Sequence, residues 1–117
     1  NMVAKINPIK SALRKEQIIN ASAIVLLDVG VNDFTIDKVI DYLGIAKGTV
    51  YKYFERKDDV LAEICTKALN QLHNYFKMGE RNSPKGPECT KAIIMSSYHY
   101  SIDYPMYFEL IVFLLTE

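Results

Sequence analysis

Residues that interrupt regular structure are scarce: the 117 residues include five glycines and four prolines. With half of the chain apolar, that scarcity excludes a disordered, collagen-like or low-complexity polymer, because enough apolar surface exists to offset chain entropy. Cysteine is scarce too. Cys65 and Cys89 are too few for a disulfide framework and lack metal-ligand spacing, so a reducing cytoplasm is the expected compartment. No uninterrupted apolar run approaches the roughly 18 residues that a membrane-spanning helix needs. No charged, apolar, small-residue leader opens the chain, so secretion is not expected either. Net charge is absent as well, with 14 basic side chains against 14 acidic ones.

That balance conceals an asymmetry. Residues 1–57 carry nine basic groups against six acids, a formal +3, and residues 58–117 carry five against eight, a formal −3. A basic front half points to an anionic partner for that half alone, although solvated surface often produces a difference of this size. The length fits one domain, or one small domain with part of a second.

The two ends stand apart. Asn1 ahead of Met2 reads as a remnant before the native start and is set aside. From Pro105 the sequence PMYFELIVFLLTE is apolar almost all round, interrupted by Glu109. A helix of that kind must be buried on every side, and no later segment is there to cover it. The expectation is a fragment of a longer protein, or a partner chain that covers residues 110–115.

Between the ends the periodicity is helical throughout, with no strand pattern and no repeats. Residues 11–29 form one helix, with Ile19, Ala23 and Leu26 on a stripe, and Gly30 is placed to end it in a left-handed conformation. Thr35 is a good N-cap for a second, short helix on which Ile36, Val39, Ile40 and Leu43 fall at i, i+3, i+4 and i+7. Gly44, Ile45 and Ala46 then separate it from a helix over about 47–53. A long helix after Lys57 has Asp58 and Asp59 in its first turn, where the helix dipole favours acids, and runs to Gly79. Residues 79–87, GERNSPKGP, are dense in breakers and make the best linker. Helices over about 88–103 and from Pro105 to the end complete an all-α chain.

Two short helices joined by a three-residue turn with glycine are the signature of a helix-turn-helix. The second helix buries Val50 and Phe54, and its other face carries Lys47, Thr49, Lys52 and Tyr53. Such a face is narrow enough for the major groove of DNA. Lysines there can donate to bases or phosphates, Thr49 to either, and tyrosine hydroxyls to phosphate oxygens. Gly48 lets the backbone come close. The competing reading of these side chains is a solvated helix face.

Residues 18–30, IINASAIVLLDVG, and 34–61, FTIDKVIDYLGIAKGTVYKYFERKDDVL, resemble the DNA-binding domain of the TetR family of bacterial transcriptional regulators. The likeness covers about residues 12–72, with the motif at 35–54, and GIAKGTVYKYFERK matches the family's recognition-helix region almost position by position. It implies a three-helix, homeodomain-like helix-turn-helix domain. Residues 73–117 would then begin a helical ligand-binding and dimerisation domain and leave it incomplete. It also implies a homodimer on a palindromic operator of double-stranded DNA, usually a repressor released by a small-molecule inducer, working in the bacterial cytoplasm at the nucleoid.

Carried over, the resemblance puts Thr35 at an N-cap beside a phosphate and Lys47, Gly48, Thr49, Lys52 and Tyr53 on the recognition helix. Tyr51 and Lys57 become backbone-phosphate contacts, with Tyr51 equally readable as half core. One position departs: Ala46 stands where many relatives have a capping serine or threonine, so no phosphate contact is expected from it. Aromatic residues crowd the rear half. The family reading makes Tyr98, Tyr104, Tyr107 and Phe108 candidate walls of an inducer pocket, and ordinary packing explains each of them equally well. His73 and His99 lack metal-ligand spacing, and Cys65 lies on an apolar stripe. No phosphate-cradling glycine loop, GxSxG or patterned carboxylate pair indicates an enzyme. No cofactor is expected. The alternative to a ligand-controlled regulator is an architectural or cell-cycle DNA-binding protein on the same scaffold without an inducer.

Overall fold

Helix α2, Ile36–Leu43, forms where the sequence supplies a cap, a stripe and a stop. Thr35 is extended (φ −140°, ψ 153°), and its hydroxyl accepts from the Lys38 amide at 3.2 Å. Ile36 and Val39 are buried, Ile40 and Leu43 half-buried. Gly44 at φ +66° ends the helix by donating its N–H to the Ile40 carbonyl at 2.9 Å, a conformation that a β-carbon would strain. The computed structural model describes residues 2–82 and 85–116, so the remnant proposed at Asn1 lies outside the described residues. They form six helices: α1 Met2–Val29, α2, α3 Lys47–Tyr51, α4 Lys57–Asn82, α5 Pro87–Asp103 and α6 Pro105–Thr116. No strand occurs among them.

Three boundaries differ from the sequence reading. Helix α1 begins at Met2 rather than near residue 11 and runs through Pro8. Its first turns lack a buried stripe, since residues 7–10 are all exposed, and periodicity has nothing to register there. Helix α3 stops at Tyr51, and Lys52 and Tyr53 form a turn. The breaker-rich stretch from residue 79 stays helical to Asn82, with residues 83 and 84 outside the described ones, and α5 starts with Pro87 in its first turn. Proline is harmless there because that amide has no helical acceptor.

The chain divides into two compact units, Asn1–Ile64 and Cys65–Glu117. The first has a core of Ile18, Ile19, Leu26, Phe34, Val39, Val50, Phe54, Val60 and Ile64, each at most 4 % exposed. Ser22 is fully buried among them and donates its hydroxyl to the Ile18 carbonyl at 2.6 Å, which avoids the cost of an unpaired polar group. Lys15 reaches Glu63 at 3.1 Å and lies over the Phe54 ring.

The second unit is organised by Tyr100, which is fully buried. Its hydroxyl lies 2.9 Å from Gln71 Oε1 and 3.3 Å from the Ala68 carbonyl. Its ring meets Tyr75, Tyr104 and Phe108 at centroid distances of 5.3, 5.7 and 6.4 Å. Helices α4 and α5 approach so closely at Gly79 that a β-carbon there would fall 2.3 Å from Ser96 Oγ and 3.0 Å from the Ala92 carbonyl. On α6 the expected burial is partial. Tyr107 and Leu110 are buried, Ile111 and Phe113 half-buried, and Val112, Leu114 and Leu115 exposed.

Two stability outcomes follow. Phe34→Ala removes a ring with no solvent exposure and should cost about 3–5 kcal/mol, read as a lowered urea midpoint; an unchanged midpoint would contradict the packing. Desolvation first, then the neighbouring tyrosines, pushes the Tyr100 hydroxyl up to about 12. The unfolded phenol, ordinarily near 10, therefore ionises first, so stability is full below pH 10 and declines as pH rises toward 12. Tyr100→Phe should lose about 1 kcal/mol at neutral pH and show a shallower alkaline decline. Parallel stability–pH curves above pH 10 would show that Tyr100 does not titrate in this way.

Candidate nucleic-acid interface

Five residues are too few to hold a helix by themselves, so α3 takes its orientation from what it buries. Val50 and Phe54 are 1 % and 3 % exposed and anchor it in the core of the first unit. Backbone bonds continue past its end, from Lys52 N–H to the Gly48 carbonyl and from Tyr53 and Phe54 N–H to the Val50 carbonyl. The opposite side carries Lys47, Gly48 and Lys52, all exposed, with Thr49, Tyr51 and Tyr53 half-buried at its edges. A β-carbon on Gly48 would meet nothing within 4 Å, so this glycine leaves the surface flat rather than relieving a clash. Ala46 provides no side-chain cap, as its identity implies.

The polar side chains of the motif are already engaged with one another. Lys47 Nζ lies 3.5 Å from Asp37 Oδ1 and 5.6 Å above the Tyr51 ring, and the Tyr51 hydroxyl reaches the same carboxylate oxygen at 3.4 Å. Both charged groups of this pair are more than 60 % exposed. Such a pair contributes little to stability, and Lys47 can leave it for a phosphate or a base at little cost. Lys52 lies 5.8 Å above the Tyr53 ring, and the Tyr53 hydroxyl is 3.1 Å from Ser11 Oγ.

Lys57 is half-buried, and its ammonium donates to the Val31 carbonyl at 2.6 Å. It thus straps the turn after α1 to the start of α4, while two of its three donors remain for other acceptors. Thr35 is exposed beside α2 and works as the cap described above. Lys47, Tyr51 and Asp37 therefore gather at one end of α3, and Thr49, Lys52 and Tyr53 lie on the side toward α1.

That second grouping contains residues the sequence reading missed. Gly48, Thr49, Lys52 and Tyr53 form one wall of a groove of about 720 Å³ whose other wall is α1, with Asn7, Lys10, Ser11, Leu13, Arg14 and Gln17. The one signal in the sequence was the basic surplus of residues 1–57, which no local pattern assigns to a face.

In the second unit a groove of about 450 Å³ is lined by Tyr75, Met78, Gly79, Asn82, Ala92, Met95, Ser96, His99 and Asp103. The Tyr75 hydroxyl donates to Asp103 Oδ2 at 2.5 Å, and that hydrogen bond, above burial and the carboxylate's charge, raises its pKa to about 12. None of the four expected pocket aromatics lines this groove. Tyr107 is buried under Lys67, whose ammonium is 5.0 Å from the ring centroid. Phe108 is half-buried against Tyr100. Tyr98 and Tyr104 are exposed, and Tyr104 meets the Tyr75 ring at 6.2 Å. Among the described residues no group of three or more His, Cys, Asp or Glu could hold a metal ion, and no helix is long and apolar enough to cross a membrane.

Residues 18–64 match the family described as bacterial regulatory proteins, tetR family. That span contains α2, α3, the turn between them and the buried half of α1. The chain is also similar to the fatty acid metabolism regulator protein of Bacillus subtilis (strain 168). The two are 29 % identical over 86 residues, which is 74 % of this chain and 43 % of the relative. The chain thus spans less than half the length of the curated relative it matches. No solved structure matches the chain.

Proposed function

We infer that this chain, whose residues 18–64 belong to the tetR family of bacterial regulatory proteins, is the DNA-reading part of a repressor that grips a palindromic operator as a homodimer. DNA binding and regulation of transcription belong to the family match; the repressor, operator and inducer are our reading. The observation that carries it is the exposed face of α3. Two lysines flank a flat glycine surface there, on a helix fixed from behind by Val50 and Phe54. A helix whose direction is set by its buried side and whose outer face is narrow and polar is the form that enters a major groove. Lys47 and Lys52 are assigned to base edges or phosphates, Gly48 and Thr49 to close approach, and Thr35, Tyr51, Tyr53 and Lys57 to backbone oxygens.

Repression follows in the simplest way from occupancy, since a protein seated on a promoter excludes other proteins from it. Release by a small molecule requires a site away from α3. The groove of the second unit suits that role, with Met78 and Met95 as adaptable apolar walls and Tyr75, His99 and Asp103 as polar groups. Tyr98 and Tyr104 stand exposed on the same unit and are available to a ligand, whereas Tyr107 and Phe108 serve first as packing. No residue of the chain is assigned a catalytic role.

Selection of duplex DNA from a random library, with the full-length protein as bait, tests this reading. Recovery of a palindrome with half-sites about one helical turn apart, or a multiple of it, is the expected result. Recovery of no preferred sequence would favour an architectural DNA-binding protein. With the operator in hand, Lys47→Ala and Lys52→Ala separate base reading from phosphate binding. At least one should lose about 1–3 kcal/mol of discrimination between the operator and a single-base variant of it. General weakening with unchanged discrimination in both variants would make them backbone contacts.

A further inference from the structure

The α1 wall of the groove beside α3 has a role that the helix-turn-helix does not account for. Three cations line this groove, Lys10 and Arg14 from α1 and Lys52 from the turn after α3, and no carboxylate is among its lining residues. The remaining lining is largely polar, including the paired hydroxyls of Ser11 and Tyr53, 3.1 Å apart. Two neighbouring cations have carboxylate partners outside the groove. Lys15 pairs with Glu63 at 3.1 Å, and Lys47 pairs with Asp37 at 3.5 Å. Lys10, Arg14 and Lys52 thus put three cations on one groove beside the motif.

Lys10 and Arg14 are four residues apart on one helix, so they project from one face at about 6 Å spacing. The Arg14 guanidinium donates to Gln17 Oε1 at 3.2 Å, an exposed contact along the same helix. A planar guanidinium there offers its remaining donors to two oxygens of one phosphate. Thr49 and Lys52 belong both to this groove and to the outward side of α3, so whatever α3 enters continues into the groove. We propose that α1 carries a second phosphate-binding site, with Lys10 and Arg14 holding the sugar–phosphate backbone of the same duplex just outside the major groove that α3 occupies.

The proposal rests on the DNA-binding reading, and its test separates the two. The 117-residue chain, its Lys10→Gln, Arg14→Gln and double variants, and a Lys15→Gln control are titrated against a random-sequence duplex about three helical turns long, at several salt concentrations. A random duplex suffices because backbone contacts do not depend on sequence. Glutamine keeps much of the aliphatic stem, and circular dichroism confirms that each variant remains helical.

Each single groove variant should flatten the log–log salt slope by about 0.9, and the double variant by nearly twice that, which at 0.1 M salt corresponds to roughly a tenfold affinity loss per contact. Lys15→Gln should keep the parent slope. A double variant with the parent's slope and affinity would overturn the proposal and leave DNA binding by α3 intact. Equal losses in Lys15→Gln would also overturn it, because a diffuse field rather than a site would then be at work. A parent chain with no salt-dependent binding would overturn both readings.

Discussion

The burial of Val50 and Phe54 is the constraint on which the rest of the motif's polar surface depends. Helix α3 is five residues long and has no side-chain cap at Ala46, so neither propensity nor capping gives it a direction. Its direction comes from two apolar side chains pressed into a core that α1, Phe34 and α2 have already defined. Where those two point inward, Lys47, Gly48 and Lys52 must point outward. The functional face is the geometric complement of the hydrophobic one.

Around that constraint, weak polar contacts hold long side chains in prepared positions without locking them. Asp37 draws Lys47 over the Tyr51 ring, and Tyr53 carries Lys52 above its face while its hydroxyl meets Ser11. Exposed contacts of this strength are exchangeable, which suits the surface to the nucleic-acid partner proposed for it. Lys57 differs. Its short bond to the Val31 carbonyl is half-buried, so it fastens the scaffold as well as presenting charge.

How much of this was legible in the sequence depended on how far apart the interacting residues lie. Helix α2 could be read to the residue because its cap, stripe and terminating glycine lie within ten positions. The face of α3 followed from the spacing of Val50 and Phe54 against its lysines. The first turns of α1 were not legible, because they bury nothing and so leave no period. The groove was not legible either, since Ser11 and Tyr53 are 42 residues apart and only folding brings Lys10 and Arg14 beside Lys52. In the second unit, composition located the aromatic concentration but not its organising member. Tyr100, through its bonds to Ala68 and Gln71, holds the centre, while Tyr98 and Tyr104, read as candidate pocket walls, stand exposed.

The brevity of α3 and its uncapped start at Ala46 carry a dynamic consequence. Protein segments open locally with free energies that range from near zero up to that of global unfolding, and a five-residue helix with its polar side in water belongs at the low end. Amide hydrogens of Lys47 to Tyr51 would then exchange with solvent sooner than those of α1 around Ile18 and Leu26. Under the proposed function, part of the free energy of seating this helix on DNA would go to ordering it, and warming would weaken that binding at temperatures where the core is still folded.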